Sequence, residues 1–337
     1  MKPPESDGRD APAAAAARPA AARRRPSWLR REGGVALILT LTVALLAVHP
    51  ASRETFPTVD NLHSVLQSFS YVAIMSVGMT LVILTGGIDL SVGSVCALSA
   101  CGAAMLLRDG RTPIGPGIAL GLGIGLACGL FNGVMITRLG LAPFIVTLGT
   151  LSVARGLLFG LSGGLPIYTR TFAQPQLFDS LHRASIPAML GFTLLAHLFL
   201  RHSRWGVYIY AIGGNRTACR LSGVAVARVE VLSYALAGLL AAVAGLFMAS
   251  KLRTMSPEMA RGYELDVIAA VVLGGTSLSG GQGSVWGTLI GAALMGVLRS
   301  ALIHLDVPGL WTDLFLGGVI LVAVAADRLR QRLRMPR

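Results

Sequence analysis

The chain alternates long apolar runs with short polar or basic interruptions. Crossing a hydrocarbon core takes about 20 apolar residues in a helix. Residues 33–52 carry no charge, and between Asp60 and Arg108 the only charged residue is Asp89, over a length sufficient for two spans. Further apolar runs fall near 116–137, 142–163, 185–200, 230–250, 265–279, 284–304 and 311–326, and those just after Glu264 are short or interrupted by Gly. This pattern predicts an all-α integral membrane protein with about ten transmembrane helices.

Composition agrees. Of 337 residues, 53% are hydrophobic and 13% charged, against roughly 25% charged in soluble domains. Glycine is abundant at 41 residues, as expected where membrane helices pack backbone to backbone. The net charge of +13 does not point to a nucleic-acid partner: Arg gathers in 18–31, 201–228 and 328–337, without interleaved aromatics for base stacking. With ten spans and both ends inside, nineteen Lys and Arg fall in inside segments and eight in outside loops, which is the positive-inside bias. Residues 1–34, rich in Ala, Pro and Arg, read as a disordered basic cytoplasmic tail. Residues 35–327 form the transmembrane domain, and 328–337 a second basic tail. The Arg23-Arg24-Arg25 run precedes a long apolar stretch without a convincing cleavage site, so an uncleaved first span is expected. Cys96, Cys101, Cys128 and Cys219 have no metal spacing and read as buried small hydrophobes.

Two Gly-rich breaks interrupt the apolar texture. One runs Gly86-Gly87-Ile88-Asp89-Leu90-Ser91-Val92-Gly93-Ser94, the other Gly274-Gly275-Thr276-Ser277-Leu278-Ser279-Gly280-Gly281. Both fit G-G-x-x-L-S-x-G at an offset of 188 residues. Internal repeats with broken helices mark the pathway in many transporters; chance similarity in Gly-rich sequence is the competing reading. Gly86, Gly87, Asp89, Ser91, Gly274, Gly275 and Ser279 are the candidate translocation or helix-break residues.

The chain lacks an energy source. Its two lysines, Lys2 and Lys251, do not follow a Gly, so no P-loop is present. Intramembrane acids of the kind that couple ions are sparse; His197 sits alone in a span, and no catalytic or metal constellation is evident. What remains is a pathway driven by a partner. The longest inside loop, 201–229, is the candidate contact. Asn215 suits the N-cap of a short helix from Arg216, and Gly223 suits its end. Ala218, Leu221 and Ser222 share one face, with Arg220 nearby. Such an element transmits a push, or it lies on lipid headgroups with Arg216 and Arg220 toward phosphate.

Single residues carry further alternatives. Asp89 either caps a helix starting at Leu90, or sits beside the pathway or locks the break between two spans. Glu264 and Asp266 flank an outside-facing helix start and either dock an external protein or complement the helix N-terminus. Tyr263 reads as an interfacial anchor. Arg155 and Arg299 lie within spans, where they either snorkel or pair with a carboxylate that sequence alone does not name.

The stretch GGIDLSVGS at Gly86–Ser94 resembles the signature of permease subunits of bacterial ABC importers for monosaccharides, of the ribose, xylose, arabinose and galactose type. The resemblance extends through Phe131-Asn132-Gly133, the block 142–150, Ala211–Asn215, Arg220–Gly223, Gly262–Ala270 and the second Gly-rich break. It implies a vitamin-B12-importer-like (type II) permease fold in a bacterial inner membrane. It also implies two ABC ATPase subunits that hold ATP and Mg, an extracytoplasmic sugar-binding protein, and a second permease subunit. This chain itself would hold no cofactor. The resemblance makes the 201–229 loop the coupling loop, with Cys219 and Val224 where relatives often carry Ala and Ile. A stand-alone secondary carrier, or an ABC permease for another polar solute such as a nucleoside, is the alternative.

Overall fold

The computed structural model of the protein describes residues 27–50, 52–168, 180–252, 254–312, 314–318, 321 and 325. The tails 1–26 and 328–337 lie outside the described residues. Eleven α-helices have both ends among the described residues: α1 (Ser27–Val48), α2 (Val59–Leu84), α3 (Val92–Leu106), α4 (Ile114–Arg138), α5 (Pro143–Ser162), α6 (Ser185–His202), α7 (Arg204–Gly214), α8 (Arg216–Leu221), α9 (Val226–Leu252), α10 (Tyr263–Leu273) and α11 (Val285–His304). Within the same residues the one extended pairing is a bridge between Ile167 and Met255. Each predicted span from 33–52 to 284–304 holds one of these helices. The last, 311–326, is described only in part, and residues 312, 314–318, 321 and 325 in it are α-helical. By length and apolarity α2, α4, α5, α9 and α11 suffice to cross a bilayer.

Several boundaries differ from the sequence expectation. Helix α1 begins at Ser27, inside the stretch expected to be a disordered tail. The 201–229 loop is not one loop with one short helix; Ser203 ends α6 and its hydroxyl accepts from the Gly206 amide at 3.0 Å, starting the additional helix α7. Helix α10 stops at Leu273, so the second Gly-rich stretch is a loop and not the end of a span. At 1.5 Å per residue α10 is about 16 Å long, roughly half of a ~30 Å hydrocarbon core. It is a half-span.

From Tyr71 onward helix α2 is apolar on nearly every side, and such a helix needs cover all round. It receives that cover from α6, α9, α10 and α11, and Ile74, Met75, Met79, Val82, Ile83 and Leu84 are fully buried. Helix α4 solves packing differently. Gly117, Gly121, Gly125, Gly129 and Gly133 recur every fourth residue and are all buried. A Cβ at Gly125 would lie 2.4 Å from the Gly238 oxygen, and one at Gly129 would lie 2.3 Å from the Tyr234 oxygen. Helices α4 and α9 therefore touch through their backbones, the small-residue mode of membrane packing. The far sides of α4 and α5 leave Leu126, Phe131, Ile145 and Val153 exposed, as suits surfaces facing lipid tails or another chain.

Candidate functional site

The two Gly-rich breaks start identically. After Leu84 the chain reverses at Gly86, whose φ is +86°; the Gly87 amide donates to the Val82 oxygen at 3.1 Å and the Gly86 amide to the Ile83 oxygen at 2.9 Å. After Leu273, Gly275 has φ +89°; the Thr276 amide donates to the Val271 oxygen at 3.2 Å and the Gly275 amide to the Val272 oxygen at 2.9 Å. These are Schellman stops, which need a left-handed residue and so favour glycine. The equivalent residues are Gly86 and Gly275, one position out of register with the sequence motif, which pairs Gly86 with Gly274.

Beyond the stop the breaks diverge. In the first, α3 starts at Val92, with Ser91 as its N-cap residue and no side-chain cap bond. Asp89 is therefore not the N-cap of a helix at Leu90. Its Oδ1 accepts from the Ser91 amide at 2.8 Å and from the Ser91 hydroxyl at 2.6 Å. Asn132 of α4 donates its Nδ2 to the Ser91 hydroxyl at 3.0 Å, and Thr150 of α5 donates to the Asn132 oxygen at 2.5 Å. Asp89, Ser91, Asn132 and Thr150 are all buried. They form a directed chain of donors that ends on a carboxylate and ties the break to two neighbouring helices. Thr147 and Tyr234 both reach the Ile88 oxygen, at 3.4 and 3.5 Å.

The second break is a longer loop. Its Ser277 amide donates to the Gln282 oxygen at 2.8 Å, and the Ser279 amide donates to Ser277 Oγ at 3.3 Å. Ser284 then caps α11 through the Trp286 and Gly287 amides. The breaks meet: the Gly281 amide donates to the Leu84 oxygen at 2.9 Å. The end of α7 lies against the same spot, and the Tyr210 hydroxyl donates to the Gly283 oxygen at 2.9 Å.

Helix α8 is local in origin. Asn215 Oδ1 accepts from the Ala218 amide at 2.9 Å, and Gly223, at φ +81°, ends the helix with the Val224 amide on the Cys219 oxygen at 3.0 Å. Arg216, Thr217, Ala218, Arg220, Leu221 and Ser222 are exposed and only Cys219 is buried. Arg216 pairs with the buried Glu230 carboxylate of α9 at 2.7 Å, a tether that sequence did not name.

The charged groups expected at an outside-facing helix start point inward. Asp266 is buried and paired with Arg299 of α11, which also lies near the Tyr263 ring. Glu264 Oε2 is buried without a hydrogen-bond partner, and a Cβ on Gly93 would lie 2.6 Å from it. Arg155, roughly 18 Å along α5, donates to the Pro257 and Met259 oxygens at 2.7 and 3.1 Å. Both arginines expected within spans are therefore tied to partners in the fold. Asn132, Thr150, Tyr210 and Gly213 were given no role by sequence. Polar side chains within apolar runs were the available signal for the first two.

The comparisons with known proteins agree with this geometry. A family model described as "Branched-chain amino acid transport system / permease component" matches residues 61–324. The chain is 39% identical over 312 residues to the ribose import permease protein of Escherichia coli strain K12, covering 90% of this chain and 96% of that one. It is 42% identical over 297 residues to the ribose import permease protein of Bacillus subtilis strain 168, covering 86% and 90%. It is 34% identical over 325 residues to the galactose/methyl galactoside import permease protein of Salmonella typhimurium strain LT2, covering 90% and 96%. A solved metal-chelate-type ABC transporter in an inward-facing conformation superimposes with a TM-score of 0.53 at 18% identity, over 88% of this chain and 99% of that chain. The fold is thus the type II permease fold.

Proposed function

This chain belongs to the branched-chain amino acid transport system permease family, and from that premise we propose that it is the membrane-spanning subunit of an ATP-driven ABC importer for a monosaccharide. The observation that carries the reading is the 39% identity to a ribose import permease over nine-tenths of the chain. The geometry supports it. A short, capped and exposed helix, α8, projects from a fold whose two broken spans meet beside it. In this reading α8 docks on an ABC ATPase, which holds ATP and Mg²⁺, and this chain holds no cofactor. A second permease subunit completes the pathway, and an extracytoplasmic binding protein delivers the sugar. The complex sits in a bacterial inner membrane with α7 and α8 on the cytoplasmic side. ATP-driven closure of the ATPases moves α8, and the permease halves exchange inward and outward openings. A neutral sugar needs donors and acceptors without a fixed charge, and the exposed Ser279 and the backbone of the second break offer them.

The test is reconstitution in proteoliposomes with the ATPase and binding protein, using labelled ribose, galactose and leucine. Accumulation of a sugar that requires both ATP and the ATPase is expected. Accumulation by this chain alone, or of leucine with no sugar, would overturn the reading.

A further inference from the structure

An added Cβ has almost no room at Gly213, at the end of α7. That Cβ would lie 2.0 Å from the Leu84 oxygen and 2.2 Å from the Gly281 nitrogen. These two atoms are the acceptor and donor of the hydrogen bond that joins the two breaks. Gly280 closes the same contact from the other side, where a Cβ would lie 2.9 Å from Gly213 Cα and 3.0 Å from the Gly86 nitrogen. Three backbone segments therefore converge without an intervening side chain: the end of α2, the second break and the end of α7.

We infer that Gly213 is the positioning residue through which a displacement of α8 reaches both broken spans. The inference rests on the importer reading above and adds the route of coupling. Only Asn215 separates α7 from α8, and its side chain caps α8, so the two helices are joined by a short, stiff link. The outward side of α8 is exposed and available to be pushed. At its inner end, α7 is fixed to the second break by the Tyr210 hydroxyl on the Gly283 oxygen and by the Gly213 contact. Close-packed backbone atoms do not yield by changing rotamer, so movement is passed on and not absorbed. Leu84 ends α2 and Gly281 leads into α11, so one contact moves two spans. A side chain at Gly213 would wedge apart the Gly281–Leu84 hydrogen bond. Its neighbour Gly214 has nothing within 4 Å of the Cβ position and supplies a matched control.

The experiment uses the full complex with ATPase and binding protein, and labelled ribose or galactose, whichever the complex accumulates. ATP hydrolysis, sugar uptake and retention of the ATPase on purification are measured separately. Gly213→Ala should retain the ATPase and its hydrolysis but lower sugar carried per ATP by roughly 2- to 30-fold, the range of coupling losses along connected elements. Gly214→Ala should match wild type. Tyr210→Phe, which removes one hydroxyl and no bulk, should lower the same ratio by a smaller factor. An assembled Gly213→Ala complex with the wild-type ratio overturns the inference. If Gly213→Ala does not assemble, Tyr210→Phe decides: a lowered ratio supports the route and an unchanged one overturns it. A wild-type complex without ATP-driven uptake defeats the importer reading itself, so the two failures are distinct.

Discussion

At the scale of single residues, the buried chain from Thr150 through Asn132 and Ser91 to Asp89 makes a statement about chemistry that the isolated Asp89 does not. Each hydroxyl or amide in it donates in one direction, and the last acceptor is a carboxylate oxygen. An amide oxygen can take the same two donors from Ser91, so Asp89→Asn preserves the pattern. Asp89→Leu leaves the Ser91 amide and hydroxyl without their acceptor, and each buried unpaired group costs about 1–3 kcal/mol. Thermal unfolding of the detergent-purified chain should therefore place Asp89→Asn close to wild type and Asp89→Leu clearly below it. Equal loss in both variants would mean that the negative charge itself is required, which favours a place for Asp89 beside the pathway. Asp266 and Arg299 follow the rule that intramembrane charges find partners, and here the partner lies on a separate helix, out of reach of sequence inspection.

At the scale of helices, the apolar runs mark the elements because lipid leaves a backbone few alternatives to a helix. What the runs do not reveal is which helices are shortened by their neighbours. Helix α10 ends at Leu273 because a Schellman stop forms there, six residues before the end of the predicted span 265–279. The additional helix α7 was missed because Ser203 acts as both stop and start within what reads as loop. The glycine ridge of α4 was legible in its every-fourth spacing, yet composition alone suggested only that glycines pack somewhere. The ridge makes a sharp prediction. Gly125→Ala places a methyl 2.4 Å from the Gly238 oxygen, whereas Gly123→Ala, two residues away, meets nothing within 4 Å. Overpacking of this kind costs about 1–3 kcal/mol. Gly125→Ala should lower the melting temperature, while Gly123→Ala should hold or raise it, since alanine is the better helix former. Equal behaviour of the two variants would show that α4 and α9 are not in backbone contact.

At the scale of the whole molecule, stability and assembly reside in different places, and α8 shows the separation most clearly. Its ends were readable from Asn215 and Gly223 because caps are local; its attachment to Glu230 and to the junction at Gly213 was not, because those contacts join segments far apart in the chain. Leu221 is 85% exposed, so it contributes almost nothing to the isolated fold. If an ATPase groove receives α8, burying that side chain contributes about 1.5–3 kcal/mol to association. Leu221→Ser should then leave thermal unfolding of the lone chain unchanged while weakening ATPase retention by roughly 10- to 150-fold. Cys219, the inward residue of the same helix, should behave in the opposite sense: Cys219→Arg lowers the stability of the lone chain before any partner is added. A Leu221→Ser chain that melts early yet holds its ATPase as tightly as wild type would place the outer face of α8 in the service of the fold, and the ATPase would have to grip the permease elsewhere.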